Sequence, residues 1–74
     1  MKTELELTPA TVNAMHDAIG ALVFAITCQL PAEQRAAFSQ SLGRHATAKN
    51  KAGNTLAATF LLDYATAADL AAKA

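Results

Sequence analysis

Tryptophan is absent from this 74-residue chain, cysteine and tyrosine occur once each, and there are only three glycines, two prolines and three phenylalanines. The single cysteine excludes a disulfide scaffold. The three glycines, Gly20, Gly43 and Gly53, lie too far apart to form a phosphate-cradling loop. An excess of one charge is also missing. Six Lys+Arg balance six Asp+Glu, which argues against a strongly basic nucleic-acid binder. Low hydrophobicity is missing too: 53% of residues are apolar, so an intrinsically disordered tail is excluded. The longest uncharged run, between Asp17 and Glu33, has 15 residues and is broken by Gly20, Thr27, Gln29 and Pro31. A membrane span needs about 20 apolar residues, so none is expected. The opening residues Met1-Lys2-Thr3-Glu4-Leu5-Glu6 carry two acids where a secretory signal wants positive charge. A cytoplasmic protein is the expectation.

What is abundant is alanine, with 19 of the 39 apolar residues. Alanine has the best helix propensity of any residue, yet its methyl group buries little area. The chain should therefore be all-α, one domain spanning residues 1–74, with a thin core. Domains this small often need help from a second chain.

Residues 2–7 alternate between polar and apolar, the two-residue period of a strand or an extended arm, and residues 1–8 are assigned to such an arm. Thr8 as N-cap and Pro9 at the first helical position start a helix that Pro31 ends, giving about residues 9–29. Its strongest feature is a bulky stripe, Val12, Met15, Ile19, Leu22, Ile26 and Leu30, with Val23 beside it. A second stripe well around the helix holds only small residues: Ala10, Ala14, Ala18, Ala21, Ala25 and Cys28. The remaining arc carries Asn13, His16, Asp17, Gly20, Phe24 and Thr27, only part of it suited to water.

A second helix is expected over about 32–50, continuous through Gly43, with Phe38 and Leu42 as its only large anchors. Gly53 should terminate it. A third, over about 55–72, is capped by Asn54 or Thr55 and turns Leu56, Phe60, Leu61 and Tyr64 inward. The result is a three-helix antiparallel bundle. Leu5, Leu7, Phe24, Leu62 and Leu70 are left without an obvious place in it. A homodimer with helix 1 near its centre would cover more of this surface, through Val12, Met15, Ala18, Ile19, Ala21, Leu22, Ala25 and Ile26.

Chemistry is harder to find. Cys28 lies near a helix C-terminus, where the dipole disfavours a thiolate, so it reads as a small buried hydrophobe. His16 and Asp17 are adjacent in sequence and diverge by about 100° on a helix. A metal site from His16, His45 and Asp63 has no support in spacing. No catalytic residue, cofactor or metal is expected. The remaining polar feature is the run Arg44, His45, Lys49 and Lys51, read as a solvated helix end or as a contact for phosphates. Helix 3 lacks the Arg, Lys and Gln that a base-reading recognition helix carries in its first turns. A small non-enzymatic interaction or accessory module, dimeric and serving an unknown protein partner, follows; a nucleic-acid-associated regulator is the alternative.

Overall fold

A computed structural model describes residues 7–74. Three helices account for nearly all of them: α1 (Pro9–Gln29), α2 (Ala32–Lys51) and α3 (Thr55–Lys73). No strand occurs among the described residues. The extended arm expected over residues 1–8 lies outside the described residues except for Leu7 and Thr8, which precede α1.

The helix ends follow the sequence signals closely. The Thr8 hydroxyl accepts from the Thr11 backbone N–H at 3.1 Å, with Pro9 in the first turn. The Asn54 side chain accepts from the Ala57 N–H at 3.1 Å and starts α3. Between α2 and α3, Gly53 takes a φ of +87°, a conformation that side chains with a Cβ resist. Around it the Gly53 N–H donates to the Asn50 carbonyl and the Asn54 N–H to the Lys49 carbonyl. This paired arrangement satisfies the last carbonyls of α2 and reverses the chain in three residues. α2 runs through Gly43 without a break.

α3 is the central helix of the single chain: it packs along α2 on one flank and against α1 on the other, while α1 and α2 barely touch. The bundle is therefore open rather than closed into a triangle. Ala46 on α2 and Ala58 on α3 are buried and meet at the α2–α3 contact, and the Ser39 hydroxyl donates to the Ala65 carbonyl at 2.9 Å across the pair. Ala68 and Ala71 of α3 are buried as well. Tyr64 is the one large apolar side chain that is buried among the described residues. Phe38, Leu42, Phe60 and Leu61 are half-buried, and Leu56, expected inside, is 64% exposed. A core of alanine methyl groups gains little area per residue.

α1 docks on its neighbour through an arc other than most of its bulky stripe. Its packed side is the arc Val12, His16, Gly20, Val23 and Thr27, spaced four, four, three and four. Thr27 is completely buried, its hydroxyl donating to the Val23 carbonyl at 2.7 Å, so no polar group is stranded there. At its C-terminal end α1 is tied to α2 by Arg35, which donates to the carbonyls of Leu30 (3.0 Å) and Cys28 (3.1 Å).

Candidate functional site

Because α1 uses its polar and small arc to dock on α3, its large side chains remain outside. Met15 is 42% exposed, Ile19 41%, Leu22 60% and Ile26 51%. At 100° per residue this stripe sits about 90° around the helix from the packed arc. The small stripe from Ala10 to Ala25 lies on the far side and is exposed throughout. Of the eight residues expected at an interface, only Val12 is drawn toward the core; the other seven stay at the surface. These exposed residues leave a continuous apolar face on α1 uncovered in the single chain.

The polar centre of the α1–α3 contact has no signature in the sequence. His16 Nε2 is 3.0 Å from Asp63 Oδ2, and His16 Nδ1 is 3.0 Å from the Tyr64 hydroxyl. The ring also stacks on Phe60, with centroids 4.4 Å apart. An ionised Asp63 only accepts, so Nε2 carries the proton in neutral His16, and Nδ1 accepts from Tyr64. Burial first, and the Asp63 carboxylate second, push the Tyr64 hydroxyl above its ordinary pKa. The Asp63 partner of His16 is thus a residue 47 positions away in sequence, and no local spacing announces it. This cluster fixes α1 on α3. His45 is exposed on α2, and no group of three metal-ligating residues forms among the described residues.

Arg44, His45, Lys49 and Lys51 are all exposed. They do not line up. Helical geometry puts Arg44 and Lys51 on one flank of α2 and His45 and Lys49 on another, separated by roughly 100–160°. Cys28 is half-buried at the end of α1.

One open groove of about 250 Å³ lies between α2 and α3 near their shared turn. Ala46, Thr47 and Asn50 form one wall, and Ala58, Thr59 and Leu62 the other. Finally, α1 with its 21 residues is long and apolar enough to cross a membrane by length and composition, more so than its longest uncharged run suggests. Asp17 on its surface and the attachment of His16 to α3 count against that use. Comparison of the chain with protein-family models, with curated proteins and with solved structures finds no match.

Proposed function

We propose that this chain is a small, non-enzymatic helical interaction module that acts as a homodimer in the cytoplasm, with α1 as its assembly element and a further protein as its partner. The observation that carries this reading is the orientation of α1: its large apolar residues face solvent while a His, a Gly and a Thr occupy the packed side. A monomer selected to stand alone would gain by the opposite rotation. A second copy is a suitable cover, because the net charge is zero and two chains do not repel one another.

The magnitudes agree with association. Met15, Ile19, Leu22 and Ile26 together expose the equivalent of about two complete large side chains. Burying each is worth about 1.5–3 kcal/mol, so a two-fold pair hides about four and gains roughly 6–12 kcal/mol. Association costs about 4–15 kcal/mol. The stripe alone is thus comparable with the cost, and a stable dimer needs further contact.

Size-exclusion chromatography with light scattering tests this reading. The expected species at micromolar concentration has twice the 7.7 kDa chain mass. A monodisperse 7.7 kDa species would overturn it, and co-flotation with lipid vesicles would reassign the α1 face to a bilayer. Contact with nucleic-acid phosphates through Arg44, His45, Lys49 and Lys51 is the second reading, supported by their common exposure and weakened by their division between flanks. It requires retention on heparin that falls steeply with salt.

A further inference from the structure

We infer that the groove between α2 and α3 is the receptor for the α1 stripe of the second copy, so that each protomer inserts its α1 into the other. This inference rests on the homodimer reading and specifies its geometry.

The first argument is area. The four exposed stripe residues amount to roughly 400 Å² per protomer, about half of the ~800 Å² that a standard interface covers on each partner. A seam of α1 on α1 adds only the small alanines beside the stripe and leaves Leu62, 55% exposed at the groove edge, in water. In a reciprocal two-fold arrangement each chain contributes both its stripe and its groove, and residue i of one copy meets residue j of the other. The covered area then includes Leu62 and the exposed groove walls in addition to the stripe.

The second argument is surface chemistry. Thr47, Thr55 and Thr59 line the groove and give it a polar look in the sequence. Yet the Thr47 hydroxyl donates to the Gly43 carbonyl at 3.2 Å, and that of Thr59 to the Thr55 carbonyl at 2.9 Å. These two donors are engaged within their own helices. With the methyl groups of Ala46 and Ala58 and the Leu62 side chain, most of the wall suits apolar contact, while Asn50 and Thr55 supply its polar edge. The third argument is shape. Small residues on two adjacent helices make a hole for large side chains from a third, as in knobs-into-holes packing. A cavity of about 150 Å³ already accommodates a benzene-sized group, and the groove offers about 250 Å³. Stripe and groove are complementary: one has the bulk, the other the space.

The test uses opposite charges at two exposed positions. Leu22→Glu and Thr59→Lys are each made in the full chain, with circular dichroism confirming retained helix. Each variant alone is expected to weaken the dimer by about 100-fold or more, because a charge is forced into the contact. An equimolar mixture is expected to form a heterodimer. One stripe and one groove then remain unaltered, and at the other contact the introduced carboxylate faces the introduced ammonium. If Thr59→Lys dimerises like the unaltered chain, or if the mixture stays monomeric, the groove is not the receptor, while the homodimer itself stands. If the unaltered chain is monomeric, the homodimer reading fails and this inference falls with it.

Discussion

Replacing His16 with leucine isolates the attachment of α1 to α3. Leucine keeps most of the volume but removes both ring nitrogens. The Tyr64 hydroxyl, in a residue 8% exposed, then loses its acceptor, which costs about 1–3 kcal/mol. The stack on Phe60 at 4.4 Å is worth about 0.5–1.5 kcal/mol beyond area. The Asp63 contact adds little, because that side chain is 61% exposed and exposed pairs are worth about 0–1 kcal/mol. The expected loss is about 2–4 kcal/mol, a large share of the ~3–5 kcal/mol that a core of this size supplies. Urea unfolding followed by circular dichroism, at one fixed protein concentration, measures it. Tyr64→Phe supplies the second arm. In the His16→Leu background it removes the stranded hydroxyl, so the double variant should be more stable than the two single losses summed, by about 1 kcal/mol or more. Additive losses, or a His16→Leu loss under about 0.5 kcal/mol, would refute the account of the cluster as the link between the two helices.

Three further outcomes follow from the same geometry. Tyr64 is the only tyrosine and there is no tryptophan, so absorbance near 295 nm titrates this one hydroxyl. Its folded pKa is raised, so its contribution to stability is complete below the unfolded value near 10 and is lost as pH rises through the folded value; Tyr64→Phe should flatten that alkaline decline. Gly43→Ala should stabilise α2 by about 0.8–1 kcal/mol, because it lies inside the helix and an added methyl meets nothing within 4 Å; a thermal midpoint that falls would contradict this. Arg35→Ala should cost about 1–2 kcal/mol through the uncapped carbonyls of Cys28 and Leu30, and hydrogen exchange should quicken first in the last turns of α1.

The helix boundaries were legible because each end carries local chemistry. Thr8-Pro9, Pro31, Gly53 and Asn54 act on the backbone within a few residues, and no distant partner is needed to read them. The orientation of α1 was not legible. Ranking faces by bulk places Met15, Ile19, Leu22 and Ile26 inside, since burial of large apolar side chains is the strongest force favouring the folded chain. The chain instead buries Thr27, made harmless by its bond to Val23, and places His16 between Phe60, Asp63 and Tyr64. Both compensations depend on neighbours that a helical wheel does not show. The choice of α3 as the centre was hidden for a related reason. Its buried residues are mostly alanine, and alanine looks the same on every face of an alanine-rich helix. The proposed interface residues were legible as a pattern, but that they remain outside in the single chain follows only from the packing.

The position of α3 has a consequence for biosynthesis. α3 follows α1 and α2 in the chain, yet both rest on it. Until Tyr64 emerges, His16 has no acceptor or donor to bind, and α2 has no alanine ridge to lie along. The docked arc of α1 and the packed face of α2 thus stay uncovered until α3 has been made, and the tertiary structure of these helices forms late. Truncation before Phe60 should undock α1 and α2 together, leaving only the Arg35 link between them, rather than trim one element from an otherwise intact domain.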